Sequence, residues 1–486
     1  MTTAALDSSV RIDNAGSMSV VSARGSVSPA RPASPLRRAL TGSTWEAILA
    51  MPLVYLNLPA NLIIAVLLAQ TLRVPPDLYG WLVSLPFWCN LLQLPFGSLL
   101  FAHYRAKDVF VTMIWVNTAV WAAFGGALFF FSAEVQARPG WWAGWFLFAA
   151  GMTTSLMAVA WTTYMQSWVP GHVRAVYFSR RNRWAQLSNL TFLLLAGVAL
   201  RWPELRVIAG VILVSSALRV ISAVVAARNP AQGDPVSARG TDFLAQWRSL
   251  HAAKPFWPMV LFGFAWGAML NGYAAFQPVF MLSVLGEAPA AASVPLALSL
   301  LFGALALPAW GKLIARFGAK PVLACAVPLW TLVNLTWAFL RPEWRGLLYP
   351  VWAFTGAINA GVVLAQLNLL MKLMPPDARG LAVGINTAGV ALGTALAPIA
   401  VGQALAWGIA DGATAATAYR IFFFTLPVWA VLVLVCLRRV TEPQSAPVEH
   451  ALGAFRNVRT LAGALGLGFL AQTLFTPRGA DRRSEY

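Results

Sequence analysis

Few side chains in this sequence could do chemistry, and most of those are neutral. Inside long apolar runs stand Asn57 and Asn61, one helical turn apart on one face; Thr153, Thr154 and Ser155; Asn271, Tyr273 and Gln277; and Asn359, with Gln366 and Asn368 beyond it. Amides and hydroxyls so placed recognise by hydrogen bonding. A neutral amide costs less in hydrocarbon than a charge, but it still needs a partner, which a neighbouring helix or a bound solute can supply. Ionisable groups are sparser. Glu46 is the only carboxylate within an apolar run and sits at its very start; Arg183 and Arg219 lie about two turns or more inside theirs. Both arginines are expected to snorkel to the nearer interface, with an anion site as the alternative. No Asp or Glu falls near the middle of a run, so a carboxylate proton relay has no support. Cys89, Cys325 and Cys436 are far apart and lack CxxC or Cys/His spacing, so they read as packing residues rather than a disulfide or zinc site. With four histidines, no His/Asp/Glu cluster and no Gly-x-x-x-x-Gly-Lys-Ser/Thr loop, we expect no metal, no cofactor, no ATP drive and no catalytic residue.

The elements that hold these groups must cross a bilayer. Hydrophobic residues make up 59% of the 486 and charged residues 11%, with mean hydropathy +0.66; a soluble domain carries roughly 25% charge. Twelve apolar segments, long enough to span as helices, run over 46–71, 79–102, 108–132, 141–168, 176–200, 206–228, 256–284, 291–314, 320–340, 346–373, 380–408 and 418–438. In chain order these are helices one to twelve. Residues 1–43 read as a disordered cytoplasmic tail, 44–228 as a first six-helix bundle, and 229–254 as a central cytoplasmic loop. Residues 255–438 read as a second six-helix bundle and 439–486 as a cytoplasmic tail with an interfacial helix from Leu461 to Phe475. The net charge of +18 is scattered in short clusters between apolar runs, which suits topology rather than nucleic acid. Arg and Lys favour one set of loops about twofold, placing both termini inside.

The loops repeat. Val169-Pro170-Gly171-His172-Val173-Arg174-Ala175 matches Met374-Pro375-Pro376-Asp377-Ala378-Arg379-Gly380: Pro, then Arg four residues on, then a small residue. Leu92-x-Leu94-Pro95 followed by Tyr104-x-Ala106-Lys107-x-Val109 matches Leu305-x-Leu307-Pro308 followed by Phe317-x-Ala319-Lys320-x-Val322 without a gap. Two related polytopic halves are the sequence mark of a transporter whose site lies between repeats. Asn57 and Asn271 hold nearly the same place in the two halves, with Pro59 and Pro278 near them where helices one and seven are expected to bend.

At Gly311-Lys312-Leu313-Ile314-Ala315-Arg316-Phe317-Gly318-Ala319-Lys320 the chain resembles the major facilitator superfamily, whose inner loop reads Gly-x-Leu-x-Asp-Arg-x-Gly-Arg-Arg/Lys. Gly311, Leu313, Arg316, Gly318 and Lys320 match, and Ala315 replaces the acid; the first-half copy keeps Leu100 and Lys107, with Ala102 at the acid and His103 at the arginine. The resemblance implies an all-α membrane protein of twelve transmembrane helices in two pseudo-symmetric six-helix bundles. It also implies a gate built on Gly311, Arg316, Gly318, Lys320, Arg174 and Arg379, though without its acidic partner. A midplane cavity lined by helices one, four, seven and ten is implied too. The substrate-binding candidates are therefore Asn57, Asn61, Thr154, Trp161, Trp266, Asn271, Tyr273, Gln277, Asn359 and Gln366. Small-xxx-small spacing at Gly384, Gly389 and Gly393 suggests close packing of helix eleven.

These observations favour a monomeric secondary or facilitative transporter in a bacterial-type inner membrane. Its partners are the lipid bilayer, a small-molecule substrate and a possible coupling ion, without nucleic acid. Amides, hydroxyls and tryptophans lean toward a neutral polar solute such as a sugar or polyol. Export of amphipathic compounds along aromatic walls is the alternative. A polytopic glycosyltransferase is a remote third, because the first external loop, Leu72–Asp77, carries a single acid.

Overall fold

The computed structural model describes residues 34–58, 61–230 and 243–468, and every regular element among them is helical. By length and composition, nine of these helices are apolar enough to cross a membrane. Helix one comes in two pieces, Ser34–Leu56 and Leu62–Thr71, the second closing in a π-helical turn. It begins at Ser34, so the described part of the expected tail, 34–43, is helical and Glu46 lies well inside the helix. Helix seven is likewise split, into Phe256–Ala274 and Gln277–Ser283, and Pro278 opens its second piece where a missing N–H costs nothing. The remaining long helices are Pro76–His103, Ala106–Phe130, Pro139–Trp168, Gly171–Ala199, Leu205–Arg228, Pro289–Phe317, Ala319–Leu335, Leu348–Leu373, Arg379–Ala410 and Ala415–Arg438, with short helices at Ser132–Ala137, Val448–Phe455 and Val458–Ala464. The central connection, expected to be loop throughout, holds a helix at Phe243–Ala252.

Packing follows the repeat. In the first half helix three packs on four and six, two on four, and one on five and six; in the second, nine packs on ten and twelve, eight on ten, and seven on eleven and twelve. Each pairing recurs six helices later. Between the halves helix two packs on eleven and five on eight, again a related pair.

Among the described residues, the glycines that bring backbone across the halves lie at one end, that of the short loops near residues 72–75, 200–204, 285–288 and 411–414. A Cβ on Gly80 would overlap the Pro398 carbonyl oxygen, one on Gly402 the Pro76 carbonyl, and one on Gly197 the Ser293 side chain. Beside them Tyr79 Oη donates to the Ala275 carbonyl in the break of helix seven (2.9 Å), and its ring meets Phe276 edge-on. Glycine on one side of each contact lets the helices meet closely and Tyr79 bridges beside them, so the short-loop end is closed. Gly389 and Gly393 pack on Val260 and Phe264 of helix seven as expected, whereas Gly384 has no atom within 4 Å of a built Cβ and takes no part.

Candidate functional site

Where helix one unwinds, its last carbonyls lose their helical partners, and side chains fill the gap. Asn61 caps the second piece: its Oδ1 accepts from Ile64 N–H (2.9 Å) while its Nδ2 donates to the carbonyls of Leu56 and Leu58. Buried and fully used, Asn61 holds the break and does not line open space, contrary to expectation. Asn57, one turn earlier, anchors a polar knot. Its Oδ1 accepts from Trp121 Nε1 (2.9 Å), Thr154 Oγ1 (2.8 Å) and Asn117 Nδ2 (3.3 Å); Asn117 Nδ2 also lies 2.8 Å from Thr153 Oγ1. A small cleft of about 10 Å³ opens beside Asn57 between Leu58, Leu82, Pro86 and Trp121.

The second half has its own knot. Gln277 Nε2 donates to Asn334 Oδ1 (2.9 Å), which also accepts from Thr355 Oγ1 (3.3 Å). Helices one, three and four thus correspond to seven, nine and ten, each knot joining two amides with threonine, two threonines in the first half and one in the second. Lys107 and Lys320 are 213 residues apart, and that offset carries Asn117 and Trp121 onto Trp330 and Asn334: the same two residue types, one turn apart, in swapped order.

The Pro170/Pro375 and Arg174/Arg379 turns are 205 residues apart, which carries Thr154 onto Asn359, Trp161 onto Gln366 and Arg181 onto Asn386. In the first half Thr154 and Arg181 are bonded. In the second, Asn359 Oδ1 and Asn386 Oδ1 are buried without a hydrogen-bond partner. Gln366 Nε2 and Asn386 Oδ1 converge on Gly263 of helix seven, 3.3 and 3.5 Å from where its Cβ would stand. Asn271 is partly exposed and uses only its Nδ2, toward Gly267 O at 3.3 Å. Three candidates are corrected to packing roles. Trp266 is buried edge-on against Trp330; Tyr273 is buried on Phe422 with its Oη 2.6 Å from Thr425 Oγ1; Gln277 is sealed inside its knot. Trp161, partly exposed, lies under the Arg181 guanidinium at 4.8 Å.

Arg181 and Arg219 share one carboxylate. Arg181 Nη2 is 2.9 Å from Glu46 Oε2 and its Nε donates to Ser43 O; Arg219 Nη1 is 3.3 Å from Glu46 Oε1 and 3.0 Å from Ser222 Oγ. The expected snorkelling of Arg219 is overturned: at 2% exposure it is held inside by Glu46, which the earlier start of helix one places deep enough to reach it. Arg183, by contrast, is exposed.

The inner-loop residues stay within their own half. Lys320 Nζ donates to the carbonyls of Arg438 (3.3 Å) and Val440 (2.5 Å) at the end of helix twelve; Lys107 Nζ does the same to Ala227 (2.8 Å) and Asn229 (2.6 Å) at the end of helix six. A cation there satisfies open carbonyls and complements the helix dipole. Arg316 lies over its neighbour Phe317, no atom is within 4 Å of a Cβ on Gly311, and Gly318 turns the chain at φ 96°. The Arg174 and Arg379 side chains are outside the described residues. Glu442 supplies an acid to this loop although Ala315 does not. It accepts from the Ala319 and Lys320 N–H groups at the start of helix nine and pairs with Lys372 at 2.6 Å. Burial works to raise this carboxyl, but those hydrogen bonds outweigh it and hold it below the usual carboxylate range.

Among the described residues no group of three or more His, Cys, Asp or Glu is placed to hold a metal. The arrangement offers hydrogen-bond acceptors, an aromatic wall and one excess positive charge.

Known proteins share this architecture. The model for the Major Facilitator Superfamily matches residues 47–303 and 280–478. The crystal structure of a mutant of the nucleoside transporter NupG superposes with a TM-score of 0.67 at 14% identity, over 83% of this chain and 100% of that one. A bacterial homologue of the human lysosomal transporter Spinster, inward-facing and unoccupied, gives 0.60 at 16% identity, over 92% and 98%. A probable anion transporter 3, chloroplastic, from Arabidopsis thaliana is 37% identical over 79 residues, 16% of this chain and only 15% of that protein. With one family model spanning both halves, whose packing repeats pair by pair, the chain belongs to the Major Facilitator Superfamily.

Proposed function

We propose that the chain carries a small, hydroxyl-bearing polar solute such as a sugar or polyol by alternating access. Residues 44–228 and 255–438 are the units that rock, with both termini cytoplasmic in a bacterial-type inner membrane. One observation carries the reading: Asn359 and Asn386 keep buried amide oxygens with no donor, where the related first-half positions are bonded. An unmade buried hydrogen bond costs about 1–3 kcal/mol, and a solute hydroxyl or amine relieves it. Gln366 adds a donor close to Asn386, Asn271 on helix seven adds a further amide, and the partly exposed Trp161 offers an indole face for C–H groups. With the short-loop end closed, alternating access gives the site its exit toward the central connection, which the positive-inside bias puts in the cytoplasm. The nucleoside transporter among the structural relatives supports the class.

The test is uptake into proteoliposomes with a sugar and polyol panel, comparing the unaltered protein with Asn359→Ala and Asn386→Ala. Saturable flux that each substitution reduces about tenfold supports the reading. Flux indifferent to both removes these amides from the site, and no flux for any hydroxylated solute removes the solute class.

A further inference from the structure

The first half carries a charge that the second half lacks. Two guanidiniums share the single carboxylate of Glu46, leaving the cluster at net +1 with side chains only 9% (Arg181), 3% (Arg219) and 5% (Glu46) exposed. Among the described residues its other contacts are neutral: the Ser43 carbonyl, Ser222 Oγ, Met157 Sδ and the Trp161 ring. We infer that Arg181, backed by Arg219, is the docking point for an anionic group, a carboxylate or phosphate, on the transported solute. The inference rests on the transport reading above and narrows its solute class to one bearing a negative charge.

Three observations lead there. The charge is not needed for packing: helix seven packs on eleven as helix one packs on five, yet the position related to Arg181 is the neutral Asn386. An excess charge in a low-dielectric site is strongly unfavourable until an opposite charge arrives, so the cluster is poised for an anion. The cluster also joins the Asn57 knot along helix four. Thr154, Met157 and Trp161 follow one face of helix four, from the Asn57 knot, past Arg219, to the indole under Arg181. Of the two arginines, Arg181 keeps the more exposed side chain. Asn386 and Gln366 hold the related places in the second half, so a hydroxylated anion would meet hydrogen-bonding amides there.

The test is calorimetric titration of the detergent-purified full chain with glucose, glucuronate, glucose 6-phosphate and inorganic phosphate. Glucuronate or glucose 6-phosphate should bind at least tenfold more tightly than glucose, about 1.4 kcal/mol. Arg181→Gln should erase that preference and Arg181→Lys should keep part of it. Glu46→Gln raises the excess charge and should tighten anion binding, whereas a purely structural ion pair predicts a lower Tm with an unchanged anion-to-neutral ratio. Inorganic phosphate binding as tightly as glucose 6-phosphate assigns the site to a free anion; weaker binding assigns it to the charged solute. Glucose binding as well as both charged sugars, or no binding by any anion, overturns the inference while leaving transport of a neutral solute standing. Anion binding by a protein that moves no solute would instead remove the transport reading and keep the anion site.

Discussion

Replacing Gly402 by alanine should prise open the short-loop end. The added Cβ would overlap the Pro76 carbonyl oxygen and stand 3.2 Å from Asp77 Cα. Both obstacles are backbone, so no rotamer change relieves the clash and helices two and eleven must separate. Overpacking of this kind costs about 1–3 kcal/mol; at about 2 kcal/mol the closed-to-open ratio falls about thirtyfold. If the open form is about 1% of the unaltered protein, within the usual range for a minor state, it rises to about a quarter. Pulsed EPR can read this in liposomes, with Cys89, Cys325 and Cys436 replaced and spin labels at the exposed positions Trp81 and Gln403. A second, longer distance should appear in Gly402→Ala. It should be absent from Gly126→Ala, where a Cβ has no atom within 4 Å. The same distance distribution in all three proteins would refute the packing argument.

Removing the unpartnered oxygen with Asn359→Ala should leave the empty protein as stable or up to about 1 kcal/mol more so while weakening solute binding about tenfold. Thr154→Val, which breaks a formed bond, should lower Tm by the equivalent of about 1 kcal/mol. Lys107→Met and Lys320→Met should lower thermal stability by similar amounts, about 1 kcal/mol each, because each uncaps the last helix of its half; a loss in only one contradicts the shared role. Glu442 is held below its ordinary titration range when folded, so its contribution is present above that range and disappears as pH falls through the lowered value. Thermal unfolding of Glu442→Gln should accordingly trail the unaltered protein at pH 7 and converge with it as the pH falls through that lowered value.

The duplication was readable because loop residues do the same physical work twice: Lys107 and Lys320 cap helices six and twelve through matching carbonyls. The fold and the breaks near Asn57 and Pro278 followed from the same pattern. Helix one's start did not, since Glu46 and the residues before it read as too polar to span, and a sequence cannot reveal that two arginines from helices five and six neutralise such a carboxylate. Asn117, Asn334 and Asn386 were missed because helices three, nine and eleven were not expected at the site; the fixed offsets between the halves were the available signal. Glu442 gave none, joining a loop more than a hundred residues away.

The most direct test of alternating access is to lock the closed end. Trp81→Cys with Gln403→Cys places two thiols at exposed positions on helices two and eleven, each next to a glycine of the close contact, where a Cβ on Gly80 would stand 3.4 Å from Gly402 Cα. A bifunctional methanethiosulfonate joins both thiols through reducible disulfides without adding a Cβ at the contact itself. Cross-linked protein without its native cysteines should bind solute from the central-loop side but carry out no uptake into proteoliposomes, and reduction should restore flux. Undiminished uptake by the fully cross-linked protein would contradict a mechanism in which that end must open.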